Sequence, residues 1–161
     1  MNMYIKKHFL KLAAMAIITA LLPFYLSTAA MSDTAKETKV TGTVSLGSTR
    51  NEVLKAMGKP ESPLTCDFFY KKSKCEILIA FNDKTNLVES IIVIGKNPKY
   101  SVRGITGGST KADVEKTFGK PERVFNYKKS GVECWYYPKT NVSFAFNGNN
   151  VSSFSVSNCK Y

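Results

Sequence analysis

The chain has 161 residues, of which 43% are hydrophobic. That is enough for one compact domain or two very small ones, and it excludes a chain that is disordered by composition. Lys and Arg number 23 against 12 Asp and Glu, which gives a formal net charge of +11.

Residues 1–30 have the layout of a secretory signal peptide: a positive start, an apolar run and a stretch of small residues. These parts are Lys6, Lys7 and Lys11; Leu12–Leu22; and Ser27–Ala30. The apolar run is shorter than the ~20 residues that span a bilayer, so we predict a cleaved signal rather than a membrane anchor. No cysteine lies near the cleavage site, so we predict a periplasmic or secreted protein that is not lipidated. Cleavage removes three Lys and no acidic residue, which leaves a net charge of +8.

Residues 31–43 are mostly polar, and we predict a flexible N-terminal segment there. The phrase GSTRNEVLKAMGKPE (47–61) then returns as GSTKADVEKTFGKPE (108–122), with nine of fifteen residues identical. Each copy predicts a helix of about two turns. A capping box begins it, a glycine in a left-handed turn ends it, and a proline prevents its resumption. We interpret the repeated motif as scaffold, with these structural residues: Gly47, Thr49, Gly58, Pro60, Gly108, Thr110, Gly119 and Pro121.

Three strands are predicted after each helix from alternating apolar residues and turn signals. They are Cys66–Tyr70, Cys75–Phe81 and Val88–Ile94, then Cys134–Tyr137, Asn141–Phe146 and Val151–Val156. We therefore predict an α+β fold of two tandem repeats, each a short helical segment followed by a three-strand antiparallel meander. The helices are expected on one sheet face, with an open face opposite. The predicted units are repeat 1 (44–94), a linker (95–104) and repeat 2 (105–161).

Four cysteines follow the signal: Cys66, Cys75, Cys134 and Cys159. An even count in a small exported chain suggests two disulfides, and four cysteines allow three connectivities. We favour Cys66–Cys75 and Cys134–Cys159, because each pair stays within one repeat. Neither pair has the short Cys-x₂₋₄-Cys spacing of a zinc site, so no metal site is predicted.

The repeated motif resembles the repeat shared by the SmpA/OmlA group of outer-membrane assembly factors (BamE-like) and the beta-lactamase inhibitory proteins (BLIP-like). The resemblance covers Val44–Ile94 and Ile105–Cys159 through the Gly, Thr, Val, Gly and Pro positions of each copy. Two copies, each with a cysteine pair, resemble the BLIP arrangement more closely. The resemblance implies binding through the open face of the sheet, with aromatic side chains and loops. BamE-like proteins usually have one copy and a lipidated cysteine, which this chain lacks.

Catalysis finds little support in the residues. The only histidine, His8, lies in the predicted signal, so the mature chain has no Ser-His-Asp or Cys-His site and no His-ligated zinc. The P-loop pattern is absent, because Lys59 and Lys120 are both followed by Pro. We predict a non-enzyme without catalytic residues or cofactor. A carboxylate-dependent hydrolase stays open as an alternative.

A protein interface is predicted from two aromatic triplets on matching strands, Phe68-Phe69-Tyr70 and Trp135-Tyr136-Tyr137, and from two rings in the extra loop Arg123–Glu133. The predicted partner-binding residues are Phe69, Tyr70, Phe125, Tyr127, Trp135, Tyr136, Tyr137, Lys128 and Lys129. The expected partner is another protein, either an exported enzyme or an outer-membrane protein. Because the net charge is basic, an anionic envelope surface is a second possible partner. Nucleic acid is not an expected partner, because the protein is predicted to be exported. The predicted function is an exported non-catalytic binding module, in its sharpest form an inhibitor. The alternative is an envelope factor that aids outer-membrane protein assembly.

Overall fold

The structure, a computed structural model, describes residues 36–63 and 67–158. The predicted signal peptide, Cys66 and Cys159 lie outside the described residues. The elements are α1 (Arg50–Met57), β1 (Ser62–Pro63), β2 (Asp67–Lys72), β3 (Cys75–Phe81), β4 (Val88–Gly95), α2 (Lys111–Phe118), β5 (Arg123–Tyr127), β6 (Val132–Tyr137), a 3₁₀ turn (Pro138–Thr140), β7 (Val142–Asn147) and β8 (Asn150–Ser157). No helix in these two ranges has the length and apolar character to cross a membrane.

The strands form one antiparallel sheet in the order β1-β2-β3-β4-β8-β7-β6-β5. The predicted layout of two repeats, each with its own three-strand meander, is wrong. Strand β4 pairs directly with β8, from Ser90 opposite Ser157 to Ile94 opposite Ser153, so a single sheet runs through the described chain. Two strands, β1 and β5, were not predicted, because β1 has only two residues and β5 occupies the segment interpreted as a loop.

Both helices begin at the predicted capping boxes. The Thr49 hydroxyl accepts a hydrogen bond from the Glu52 N–H (3.3 Å), and the Glu52 carboxylate accepts one from the Thr49 N–H (2.7 Å). Thr110 and Asp113 repeat this exchange at 3.2 and 2.8 Å. These hydrogen bonds hold the carboxyl pKa of both acids below its usual value. The prediction for the two helix starts is confirmed.

The helices end at the predicted glycines, although in a different conformation from the one expected. Gly58 has φ +82° and ψ −167°, and Gly119 has φ +78° and ψ −167°. This is the extended region at positive φ, which is open to glycine alone, and not the left-handed turn. Each end is tied to the sheet by a tyrosine: Tyr70 donates to the Gly58 carbonyl (3.1 Å) and Tyr137 to the Gly119 carbonyl (3.0 Å).

The core lies between the two helices and one face of the sheet. Val53 of α1 and Val114 and Phe118 of α2 are buried on that face. The Phe118 ring centroid lies 5.2 Å from that of Phe144 and 5.4 Å from that of Tyr137. Because a helix of eight residues is marginal alone, this packing is what stabilises α1 and α2.

The segments outside the helices and strands also pack on the domain. Val40 is fully buried, and the Thr41 N–H donates to the Ser101 carbonyl at 2.8 Å. Tyr100 and Val102, in the predicted linker, are buried as well. The described part of the predicted flexible segment, from residue 36, therefore differs from the expectation: it lies against the segment that joins β4 to α2.

Candidate partner-binding surface

The sheet face opposite α1 and α2 is defined here as the open face. Successive strand residues point to opposite sides, and one set of alternating residues forms the core. The other set forms two rows across the open face. The first row runs from β2 to β6 as Phe69, Leu78, Ile92, Ser155, Ser143 and Tyr136. The second runs from β2 to β5 as Lys71, Glu76, Ile94, Ser153, Ala145, Cys134 and Phe125.

Small side chains occupy the middle of the open face and large ones its two sides. On the central strands β7 and β8 these rows have only Ser or Ala, and the hydroxyls of Ser143 and Ser155 lie 2.8 Å apart. The flanking strands β4 and β6 are three strand spacings apart, about 14 Å. We call the strip of small, partly polar side chains on β7 and β8 the floor of the open face, and the apolar or aromatic side chains on β4 and β6 its walls.

The walls leave apolar surface in water. Ile94 on β4 is 48% exposed, and Phe125 and Tyr127 on β5 are 48% and 52% exposed. Phe125 packs edge-on against Tyr136, with 5.3 Å between ring centroids, so these two rings form one ridge. Grouped apolar exposure of this kind marks interaction sites more often than isolated exposed residues do.

Basic side chains border the open face. Lys71 is exposed at the β2 end of the second row, and Lys128 and Lys129 are exposed in the turn after β5. Lysines at the rim of an apolar patch leave its centre uncharged, which is the usual layout of a protein interface.

Six of the nine predicted partner-binding residues are on the surface that the structure defines. Four contribute to the open face: Phe69, Phe125, Tyr127 and Tyr136. Lys128 and Lys129 are exposed in the adjacent turn. The alternation within each triplet separates these residues from the remaining three.

Tyr70, Trp135 and Tyr137 are buried in the core, at 1%, 8% and 3% exposure, so the prediction that they touch a partner is wrong. Both tyrosine hydroxyls are satisfied by the helix-end carbonyls, and burial raises the pKa of both phenols. The Trp135 ring centroid lies 4.7 Å from that of Phe146. The polar group of each ring therefore did not indicate exposure, because the two hydroxyls and the Trp135 ring N–H all donate hydrogen bonds within the protein.

Glu133 connects the Trp135 side of the core to α2. Its carboxylate accepts hydrogen bonds from Lys111 (2.7 Å) and from the Trp135 ring N–H, and these two bonds hold its pKa below the usual value. Lys111 is the first residue of α2, so the three side chains fix the helix start against β6. Glu133 is thus held as an ionised carboxylate with both partners engaged. Among the described residues, no group of three or more His, Cys, Asp or Glu could hold a metal ion.

Several open-face residues were not among the predicted partner-binding residues. Leu78, Ile92 and Ile94 belong to a wall, and Ser153 and Ser155 belong to the floor. The alternation that marks them was visible in the sequence. Their position in the middle of a wide surface depends on the β4–β8 pairing, for which the sequence has no local signal.

The predicted disulfides have no structural support. Cys75 and Cys134 carry free thiols, and burial raises the pKa of both. Their predicted partners, Cys66 and Cys159, lie outside the described residues.

Comparisons with known proteins give a likeness of fold. No family model and no curated protein matches the chain. It is similar to the solved structure of a DUF4309 family protein, YjgB from Bacillus subtilis, at 16% identity over 68% of this chain and 78% of that chain, with a TM-score of 0.50. This likeness agrees with a single continuous sheet. The resemblance to the SmpA/OmlA and BLIP groups stays a prediction.

Two further solved structures are similar. One is a cysteine-rich secretory protein from Staphylococcus aureus, at 11% identity over 79% of this chain and 48% of that chain, with a TM-score of 0.51. The other is an extracellular protein containing a SCP domain from Bacillus anthracis, at 11% identity over 70% and 43%, with a TM-score of 0.49. The chain spans about half the length of the Staphylococcus protein, and at such identity the likeness concerns the fold alone.

Proposed function

We propose that the chain is an exported, non-catalytic protein-binding module that holds its partner against the open face. The observation that carries this proposal is the exposure of Ile94, Phe125 and Tyr127 on one side of the sheet. The signal-like residues 1–30 support export. The secretory character of the similar Staphylococcus protein fits the same compartment.

The shape and charge of the open face support a partner of a particular kind. A floor two strands wide, about 10 Å, accommodates a loop or one helix between the Ile94 wall and the Phe125–Tyr136 ridge. The lysines at the rim favour acidic residues beside that segment. In its sharpest form the module is an inhibitor, and its partner is an exported enzyme whose active-site entrance carries the bound segment.

The test compares two variants that add the same charge on opposite sides of the molecule. Ile94→Lys places a lysine in the wall of the open face, whereas Leu54→Lys places one on α1 at a similarly exposed leucine (39%). Each variant and the wild type are used to capture proteins from the native envelope and culture medium. The captured protein is then purified and its Kd measured by titration calorimetry. We expect Ile94→Lys to weaken binding at least about tenfold and Leu54→Lys to leave it unchanged.

Equal Kd values for the wild type and both variants would show that the partner binds elsewhere, and the proposal would fail. If binding occurs as expected and the partner is an enzyme, loss of the enzyme's activity in the complex identifies the module as an inhibitor. If the partner is an outer-membrane barrel protein, the module is an assembly factor. In both cases added salt should weaken the complex, because salt screens the attraction between the basic rim and an acidic surface.

A further inference from the structure

The two edges of the sheet are built differently. At one edge β1 has two residues, one of them Pro63, which has no N–H to offer a further strand. At the other edge β5 has five residues, all of them exposed, and no proline. Natural sheets usually protect an edge with short strands, prolines or charges, because an open edge pairs with other chains. The β5 edge lacks the first two of these protections.

Strand β5 also concentrates exposed apolar surface. The described residues include six large hydrophobic side chains that are exposed, and three of these are on this one strand: Val124, Phe125 and Tyr127. Val124 lies on the helix side of the sheet, and Phe125 and Tyr127 lie on the open face. Strand β5 therefore exposes apolar surface on both sides of the sheet.

We propose that β5 pairs antiparallel with β5 of a second copy of this chain, across a twofold axis at Phe125. In this register Phe125 meets Phe125 of the second copy, and Arg123 meets Tyr127. On the helix side Val124 meets Asn126. Just outside the strand, Glu122 meets Lys128, an opposite-charge pair that the twofold axis produces twice.

The complementarity selects this register among the symmetric ones. A twofold axis at Asn126 would place Arg123 opposite Lys129 of the second copy, which is a repulsive pair in the sheet. An axis at Val124 would place Pro121 opposite Tyr127 and separate Glu122 from every lysine. With the axis at Phe125, Arg123 can lie over a tyrosine ring and no like charges meet.

The dimer closes on itself. Each copy uses its β5 edge, and the β1 edges at the two far ends are short and contain Pro63. The pairing is isologous, so it stops at two copies instead of growing into a fibre. The Ile94 wall, four strands from β5 in the sheet order, is left free for a partner protein. The pairing shares Phe125 and Lys128 with the proposed partner surface. Ile94→Lys changes that surface but not the β5 edge, so it distinguishes failure of one proposal from failure of the other.

The first test measures oligomeric state by sedimentation velocity over a concentration series. Phe125→Lys places two lysines face to face on the axis, and Ile94→Lys is the matched control because both side chains are 48% exposed. We expect a monomer–dimer equilibrium for the wild type and for Ile94→Lys, and at least tenfold weaker dimerisation for Phe125→Lys. Wild-type protein that stays monomeric up to about 1 mM would overturn the proposal, as would equal weakening by both variants.

The second test examines the register with a charge exchange. Glu122→Lys and Lys128→Glu each create two like-charge pairs across the axis, so each should weaken the dimer about tenfold. The double variant restores two opposite-charge pairs and should return the dimerisation constant to within about threefold of the wild type. A double variant no better than the weaker single variant would overturn this register. Circular dichroism establishes that each variant is folded, since Glu122 also contacts Lys139 at 3.5 Å.

Discussion

Gly107 lies so close to the end of β4 that a side chain does not fit between them. An ideal Cβ on Gly107 would be 1.8 Å from the carbonyl oxygen of Gly95, 2.7 Å from its carbonyl carbon and 3.2 Å from Cα of Lys96. All three atoms belong to the backbone, so no rotamer change relieves the overlap. Gly107→Ala must push the two backbone segments apart by more than 1 Å to reach the 3.0 Å that real Cβ contacts respect.

We expect Gly107→Ala to reduce the free energy of unfolding by about 3 kcal/mol or more, above the usual cost of an overpacked methyl group. The matched control is Gly104→Ala. A Cβ there meets nothing within 4 Å, but φ is +80°, so the expected cost is about 1 kcal/mol of backbone strain. Urea unfolding gives both values, and for Gly107→Ala the melting temperature should fall by about 10 °C. If Gly107→Ala costs no more than the control, the close packing described here is wrong.

Three more predictions concern the scaffold. Tyr137→Phe should cost about 1 kcal/mol, because the carbonyl at the end of α2 loses its donor. Burial raises the pKa of Tyr137, so its phenol ionises at a lower pH in the unfolded chain than in the folded protein. The free energy of unfolding of the wild type should therefore fall as pH rises above about 10, and it should fall less steeply in Tyr137→Phe. Urea titrations from neutral to alkaline pH measure this difference. Thr49→Ala and Thr110→Ala should each cost about 1 kcal/mol in urea unfolding, and a negligible cost at either would contradict its capping box. Alkylation in urea without reductant should label both Cys75 and Cys134, whereas a disulfide-linked peptide containing either would contradict the free thiols.

The helices could be predicted from the sequence because their instructions are local. A capping box, a four-residue apolar spacing and a terminal glycine all lie within the repeated fifteen residues. The six predicted strands lie within two residues of the observed bounds for the same reason. What the repeated phrase does not encode is how its two copies meet. The β4–β8 pairing joins Ser90 to Ser157, which are 67 positions apart, and no short pattern encodes such a contact.

The candidate site was partly predictable. In both triplets the middle residue, Phe69 or Tyr136, faces outward and the third, Tyr70 or Tyr137, faces inward. Aromatic character alone does not show which ring faces outward. Neighbouring residues of a strand point to opposite faces, so a register shift of one residue exchanges the buried and the exposed ring. Strand β5 was interpreted as a loop, since its five residues RVFNY include both Arg and Asn and lie close to the turn that follows. Edge strands have little burial and therefore little alternation to detect.

The proposed function depends on an open face that stays accessible in the whole chain. Solvent paramagnetic relaxation with a soluble gadolinium chelate measures this directly for assigned side-chain methyl groups. We expect strong relaxation enhancement for Ile94, partial enhancement for Ala145 and none for Val53, which is fully buried against the sheet. Enhancement at Ile94 as low as at Val53 would show that another part of the chain covers this face, which would contradict the proposed binding surface.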